Sequence, residues 1–220
     1  MPTIVTSIAD PHWTERKPSS RKDANFIETQ ARKITDWMTL NEKINIDGQV
    51  GAHAAGIAGD LFHQPKGPVV SRVLDRMLLQ KFRKRTCPYV AIPGNHDMER
   101  WRLESTNDHP YGVLKDAGVI TETIWPNYMV VGKDPPVILV GKEFVKEGPT
   151  PWLAHLRESK ALIEIKKKVS EKFQCKAQCL ALTHCWWGPI DGVNRGGPVT
   201  GHLQVRGTGI NAVVYGHPHT

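Results

Sequence analysis

The sequence contains the stretch Pro88-Tyr89-Val90-Ala91-Ile92-Pro93-Gly94-Asn95-His96-Asp97, in which an apolar run of strand length stops at a polar loop. The same arrangement occurs twice upstream. The run from His53 to Ala58 stops at Gly59-Asp60, and the run from Met1 to Ala9 stops at Asp10-Pro11-His12. Each run is therefore predicted to be a strand that ends in a polar loop.

Two predicted helices lie between these three strands. Apolar residues recur at helical spacing from about Asn25 to Lys43, and a second helix is predicted from about Pro68 to Lys84. Strands that alternate with helices indicate a largely parallel sheet with helices on its faces. Ligands of such sheets gather where loops leave the carboxyl ends of the strands, which is where the polar loops stand.

The second half of the chain is richer in short strands. They are predicted at 127–132, 137–142, 179–183 and 212–215, with a helix at 152–173. Two further polar groups, Thr183-His184 and Gly216-His217-Pro218-His219, follow the last two strands. We therefore expect an α/β fold in which the polar side chains that follow the strands converge above one sheet edge.

Bulk composition is that of a globular protein. A length of 220 residues suits one domain spanning 1–220, and 40% hydrophobic residues suffice for a core. No apolar run reaches the roughly 18 residues that span a bilayer, and the start is unlike a signal peptide, so a cytoplasmic protein is expected.

The net charge of +7 favours a polyanionic partner such as nucleic acid. The four cysteines are interpreted as buried thiols, with a zinc site at Cys175 and Cys179 as the alternative.

The polar loops together offer seven metal ligands, Asp10, His12, Asp60, Asn95, His184, His217 and His219, with His96 to spare. Oxygen and nitrogen ligands suit divalent ions such as manganese, iron or zinc, and a closed structural zinc site would use thiolates. Seven ligands are too many for one catalytic ion with open positions, but they suit two ions that share a carboxylate. Two such ions can hold a bridging hydroxide and bind both the attacking and the leaving oxygen of a phosphate ester.

The ordered set Asp10-x-His12, Gly59-Asp60, Gly94-Asn95-His96-Asp97, His184 and Gly216-His217-x-His219 resembles the full signature of the calcineurin-like metallophosphoesterases. The resemblance implies an α/β four-layer sandwich, in which two mixed sheets are flanked by helices. It also implies two divalent ions, with Mn²⁺ expected first and Fe, Zn, Ni or Mg as alternatives. It implies that one ion is held by Asp10, His12 and His219, that the other is held by Asn95, His184 and His217, and that Asp60 bridges them. In this family His96 would face the phosphate as charge stabiliser or proton donor, and Asp97 would support the loop.

The extension Asp60-Leu61-Phe62-His63, followed by a proline and a helix, is similar to the SbcD-type break-repair nucleases. That likeness implies a DNA exonuclease or endonuclease in which His63 helps to position the DNA backbone. It also implies that an SbcC-like ATPase would bind a longer chain that carries a docking region. Because the chain stops at Thr220, directly after the last motif, we expect a truncated catalytic domain. The basic residues that stand where a substrate-side loop would lie are Arg16, Lys17, Arg21 and Lys22.

Two other functions share these features. A phosphatase or nucleotide phosphodiesterase would use the same metals, and only the pattern from Asp60 to His63 and the basic charge favour DNA. A non-catalytic scaffold would be expected to have lost ligands, whereas the set here is complete. Trp186 and Trp187 offer rings on which bases can stack, although tryptophan is more often a core residue.

Overall fold

The computed structural model describes residues 1–14, 17, 19, 22, 24–63, 72–98, 102–145, 150–185 and 210–216. The helices in this part are α1 (Phe26–Lys43), α2 (Arg72–Arg83), α3 (Pro110–Asp116), α4 (Thr150–Glu158) and α5 (Lys160–Phe173). The strands are β1 (Val5–Ile8), β2 (Asn45–Ile46), β3 (Gln49–Val50), β4 (Ala54–Ala58), β5 (Tyr89–Ile92), β6 (Thr121–Glu122), β7 (Tyr128–Val131), β8 (Val137–Val145), β9 (Gln178–Cys185) and β10 (Ala212–Gly216). None of these helices combines the length and the apolar character needed to cross a bilayer.

Eight of the strands form two sheets that pack face to face. The first sheet has the order β1-β4-β5-β6 and is parallel throughout. The second has the order β10-β9-β8-β7, and its antiparallel pairing is confined to β7 and β8 among the described strands. Val90 and Ile92 of the first sheet meet Leu139 and Leu182 of the second in a buried core. The predicted two-sheet α/β fold is confirmed.

Helices cover the outer face of each sheet. Ile34 and Met38 of α1 and Leu78 of α2 pack on the first sheet, together with residues of α3. Leu156 of α4 and Leu162 of α5 pack on the second sheet. The layers are therefore helix, sheet, sheet and helix, and the parallel strands β1, β4 and β5 all end at one rim of the sandwich.

The predicted helix at 152–173 is wrong in one respect, because the structure has two helices there. Ser159 lies between them and its hydroxyl accepts a hydrogen bond from Leu162 N–H at 3.3 Å. A serine cap of this kind satisfies a backbone donor that would otherwise lack a partner, so it favours a new helix start over continuation. The structure also adds α3, β6 and a β2–β3 hairpin, whose Asp47-Gly48 turn has φ of 49° and 83°.

The cysteine alternative gains no support from the fold. Helix α5 ends at Phe173, so Cys175 and Cys179 do not share a helical turn. Cys179 is buried in β9, where burial raises its pKa to about 11 and keeps it a thiol. In the part of the chain that the structure describes, no cysteine belongs to a group of metal-ligating residues.

Candidate metal centre

The loops that follow β1 and β4 are joined by backbone hydrogen bonds. His12 N–H donates to Asp60 O at 3.0 Å, and Trp13 N–H donates to Leu61 O at 2.9 Å. The two loops therefore continue the parallel pairing of β1 and β4 for a short distance beyond the sheet. This pairing fixes the position of Asp10 relative to Asp60.

Three of the predicted ligands have left-handed backbone conformations. The φ angles of Asp10, His12 and Asp60 are 49°, 45° and 47°. Such a conformation costs a non-glycine residue roughly 1–2 kcal/mol, although aspartate and histidine tolerate it better than most. It persists only where surrounding contacts fix it, and strain of this kind clusters at functional sites. The backbone at this rim is therefore strained in the way that is typical of functional sites.

Asp97 is fully buried and joins the loops that follow β4 and β5. Its Oδ2 accepts from Leu61 N–H and from Gly94 N–H, both at 3.0 Å, and its Oδ1 accepts from Phe62 N–H at 2.9 Å. Burial and then the charge of Asp60 raise the pKa of Asp97 to about 7, while the three N–H groups oppose that rise. Asp97 thus holds the two ligand-bearing loops together through their backbones.

His96 is oriented by two hydrogen bonds. Its backbone N–H donates to Asp60 Oδ1 at 2.8 Å, and its ring Nδ1 lies 2.7 Å from His63 O. A carbonyl oxygen can only accept, so Nδ1 carries the hydrogen. The other ring nitrogen, Nε2, lies 4.0 Å from Asp60 Oδ2 and faces the group of ligands. The His63 main chain therefore fixes which nitrogen of His96 is available at the site.

His184, at the end of β9, brings several acceptors together. Its Nδ1 lies 3.1 Å from Ala58 O and 3.4 Å from Asp10 Oδ1, so Nδ1 carries a hydrogen. Its Nε2 lies 3.0 Å from Asn95 Oδ1 and 3.2 Å from Asp60 Oδ2. In a neutral ring with its hydrogen on Nδ1, the lone pair of Nε2 would face two oxygen atoms and repel them. A cation is therefore required between these atoms, either a proton on Nε2 or a metal ion. Burial lowers the pKa of His184, but the hydrogen bond and charge of Asp60 outweigh it and raise that pKa.

Asp60 stands between two groups of ligand atoms. Atoms of Asp10, His12 and Asp60 lie within 4.8 Å of one another and could hold one ion. His184 Nε2 lies 3.2 Å from Asp60 Oδ2 and 3.0 Å from Asn95 Oδ1, so these residues supply a second group of ligand atoms. Burial pushes the pKa of Asp60 up, but His184 and His96 outweigh it and lower the pKa, so the carboxylate stays ionised.

The residues present fit a centre of two divalent ions. Asp60 Oδ2 is buried, and the Nε2 atoms of His184, His12 and His96 lie 3.2, 3.6 and 4.0 Å from it. Imidazole nitrogens around a carboxylate oxygen are a ligand set that suits borderline divalent ions. Gly94 keeps the space beside it open, because a Cβ at that position would lie 2.1 Å from Asp60 Oδ1. The predicted ligands Asp10, His12, Asp60, Asn95 and His184 are thus brought together.

The remaining predicted residues differ in where they lie. His217, His219, Arg16 and Arg21 lie outside the described residues, as do Trp186 and Trp187. Lys17 and Lys22 are exposed, and their substrate role stays a prediction. The exposed ring of His63 lies parallel to His96, with a 5.5 Å separation of ring centroids and an interplanar angle of 9°. His63 therefore stands at the open side of the centre.

Phe144 is a site residue that the sequence reading leaves out. Its ring centroid lies 5.8 Å from that of His184, and its backbone N–H donates to Pro93 O at 3.3 Å. The predicted strand at 137–142 continues to Val145 with an irregular register after Lys142. The sequence offers one signal for Phe144. It is an apolar residue just past the predicted end of a strand, at the rim where the other strands also end.

Replacing Gly94 with alanine should damage both stability and activity. The added Cβ would lie 2.1 Å from Asp60 Oδ1 and 2.3 Å from Asp60 N. The backbone has little freedom to move away, because Gly94 N–H is hydrogen-bonded to buried Asp97. Crowding of this kind costs typically about 1–3 kcal/mol of unfolding free energy. Gly118→Ala is the control for lost stability alone: its Cβ would meet no atom within 4 Å, but its φ of 67° costs an alanine roughly 1–2 kcal/mol, so it should unfold more easily and keep its activity. Thermal unfolding and phosphodiester hydrolysis would test this, and equal hydrolysis by the two variants would contradict it.

Metal-free protein should lose stability as the pH rises from about 4 through about 7. The folded-state pKa of Asp97 is raised from 3.8 to about 7, and that of His184 is raised above 6.5. A raised pKa contributes stability that is full below the unfolded value and lost as the pH passes the folded value. The lowered pKa of Asp60 acts below 3.8, outside this window. Unfolding in a chelator across this range checks the sign, and a melting temperature that rises with pH would contradict it.

A buried carboxylate flanked by two groups of oxygen and nitrogen ligands, at the rim of a four-layer sandwich, defines a metal-dependent phosphoesterase. The sequence model of the calcineurin-like phosphoesterase family matches residues 5–220. The chain belongs to this family, whose members hydrolyse phosphate esters at a centre of two metal ions. A comparison with curated proteins finds no significant match. The SbcD-type subgroup stays a prediction.

Proposed function

We propose that this chain hydrolyses phosphodiester bonds in DNA, as an Mn²⁺-dependent exonuclease or endonuclease of the SbcD type. The observation that carries the DNA part is the position of His63. Its exposed ring lies parallel to His96 at the open side of the centre. A group at that place can contact the chain that continues beyond the reacting phosphate, which DNA has and a small phosphate monoester lacks. The net charge of +7 supports the same substrate.

The residues around Asp60 would hold the two ions. Asp10, His12 and Asp60 would hold one of them, with His219 as the further ligand that the family resemblance implies. Asp60, Asn95 and His184 would hold the other, together with His217. When bound, the ions supply Lewis-acid activation of water and of the phosphoryl oxygens.

His96 would act on the leaving oxygen. Its Nδ1–H is held by His63 O, so only Nε2 can face the substrate. In its protonated form the ring donates a hydrogen bond from Nε2 to the leaving sugar oxygen and passes its proton to that oxygen as the P–O bond breaks. The neutral ring that remains keeps its hydrogen on Nδ1, which is the form that His63 O stabilises. No covalent bond to the enzyme is needed.

The side chain of His63 has a separate role from its main chain. The carbonyl oxygen orients His96, whereas the ring is exposed and is not among the ligands proposed above, although its nitrogen lies within 4.8 Å of nitrogens of His12 and His96. Its Nδ1 lies 3.5 Å from His12 Nδ1, which keeps the ring beside the centre. The proposal also includes the SbcC-like ATPase partner, which rests on the sequence resemblance alone, and a cytoplasmic location, which rests on the expectation from the sequence.

His63→Ala should separate DNA cleavage from hydrolysis of a small diester. Cleavage of labelled linear DNA in Mn²⁺ should fall at least about tenfold, because a contact to the substrate backbone is lost. Hydrolysis of bis-p-nitrophenyl phosphate should change by less than about threefold, because the carbonyl that orients His96 remains. The matched control is His155→Ala, an exposed histidine of α4.

Wild-type protein sets the reference for this test. Turnover of the small diester without DNA cleavage would contradict the DNA proposal and favour a small-molecule phosphodiesterase. Equal losses on both substrates in His63→Ala would also contradict it, because the ring would then serve the reacting phosphate itself.

A further inference from the structure

Helix α2 carries an unusual concentration of positive charge. Residues 72–85, which form α2 and the turn after it, contain six basic residues and one acidic residue. Their net charge of +5 is most of the +7 of the whole chain. We propose that the exposed face of α2 is a contact surface for the phosphate backbone of DNA, outside the metal centre. This proposal rests on the DNA substrate proposed above.

Two arginines of α2, Arg76 and Arg83, are presented on the side away from the core. Leu78 and Phe82 are buried against the first sheet. Arg76 and Arg83 are exposed, and at 100° per residue they project from the opposite side of the helix. They are seven residues apart, which is about 10 Å along the axis, or the axial span of roughly three phosphates of one DNA strand.

The exposed cations of α2 and its following turn differ in their pairing from those of α5. Among the side chains that the structure describes, no carboxylate forms an ion pair with Arg76, Arg83 or Lys84, whereas Arg85 pairs with Glu42. The helix α5, which contains five lysines, differs in this respect. Lys168 there pairs with Glu164 at 2.7 Å, and Lys167 lies 3.9 Å from Glu171. A helix face whose lysines pair with glutamates of the same helix is typical of a helix that faces only solvent. A basic face without such pairs is suited to bind a polyanion.

Helix stabilisation alone does not account for this face. Basic residues in the last turn, such as Arg83, interact favourably with the negative end of a helix dipole. Arg76 lies in the middle of α2, beyond the reach of that effect, and is nevertheless an exposed arginine that pairs with none of the carboxylates whose side chains the structure describes. Arginine offers a planar set of donors that matches phosphate oxygens.

The surface extends from the rim that carries the metal centre. Strand β4 ends at that rim with Ala58, and α2 leads from there to the start of β5 at the opposite rim. Because β4 and β5 are parallel neighbours, the connecting helix must run back along the sheet. A DNA strand that reaches the centre could therefore continue along the outer face of α2.

The test compares two triple variants that remove the same charge. One is Arg76→Gln, Arg83→Gln and Lys84→Gln on α2, and the other replaces Lys160, Lys167 and Lys168 of α5 with glutamine. Binding of labelled duplex DNA is measured by fluorescence anisotropy from low to high salt, and circular dichroism confirms that both variants fold. The α2 variant should bind at least about tenfold more weakly near 0.1 M salt, with a salt slope smaller by about two to three. The α5 variant should change the affinity for DNA by less than about threefold. Helix α5 packs on the second sheet, so its charges would act on DNA bound at α2 only over a long distance, where salt screens them.

Equal weakening in both triple variants would overturn the α2 surface and leave the DNA substrate intact. Wild-type protein that hydrolyses bis-p-nitrophenyl phosphate but shows no salt-dependent DNA binding would overturn the DNA substrate, and the α2 surface with it. The two failures are thus distinguishable.

Discussion

Asp60→Asn is expected to remove the divalent ions and to lower phosphodiester hydrolysis by at least about 10³-fold, equivalent to about 4 kcal/mol. Asp60 is fully buried and is the residue that both groups of ligands share. The amide would keep the shape and its oxygen could still accept from His96 N–H. The charge would be lost, however, where His12 Nε2 and His184 Nε2 lie 3.6 Å and 3.2 Å from Oδ2.

The measurement for this variant is metal content together with activity. Asp36→Asn, an exposed position on α1, is the matched control and should behave as wild type. Thermal unfolding in a chelator separates loss of metal from loss of fold. Asp60→Asn protein that is folded and still binds two ions would contradict the role given to Asp60.

His96→Gln is expected to lower the rate of DNA cleavage by about 10²–10⁴-fold without loss of metal. Glutamine can donate a hydrogen bond but cannot release a proton to a leaving group. The loss should therefore be larger for DNA, whose leaving sugar oxygen is strongly basic, than for bis-p-nitrophenyl phosphate, whose nitrophenolate leaves unaided. His96 contacts the backbone of His63 and Asp60, and the ion ligands would remain.

The substrate comparison distinguishes the two roles that the family resemblance allows for this histidine. A loss that is larger on DNA indicates proton donation, as proposed. Equal losses on the two substrates would contradict it and would indicate that His96 stabilises charge on the phosphoryl group instead. Metal content of the variant, measured in the same preparation, shows whether the ligands remain in place.

Much of the rim could be predicted because its residues follow strands. The runs that end at Asp10, Asp60 and Asn95 are strands of one parallel sheet, so periodicity and strand ends were sufficient to bring these side chains together. His184 follows from the same argument on the second sheet, although the packing of that sheet against the first could not be read from local patterns.

The supporting contacts could not be predicted in the same way. Asp97 accepts from three backbone N–H groups, and every residue except proline offers such a group, so the sequence does not indicate which ones. The orientation of His96 likewise depends on the main chain of His63 rather than on its side chain. The irregular end of β8 that places Phe144 against His184, and the helix break at Ser159, are tertiary and capping effects that periodicity does not reveal.

The most direct test of the two-ion centre is the metal content of wild-type protein. Chelator-stripped protein would be dialysed against Mn²⁺, its bound metal counted by mass spectrometry, and its hydrolysis of bis-p-nitrophenyl phosphate measured in the same sample. We predict two ions per chain, with no hydrolysis before metal is added. Folded protein that binds no Mn²⁺, or that hydrolyses the diester equally well after stripping, would contradict the account.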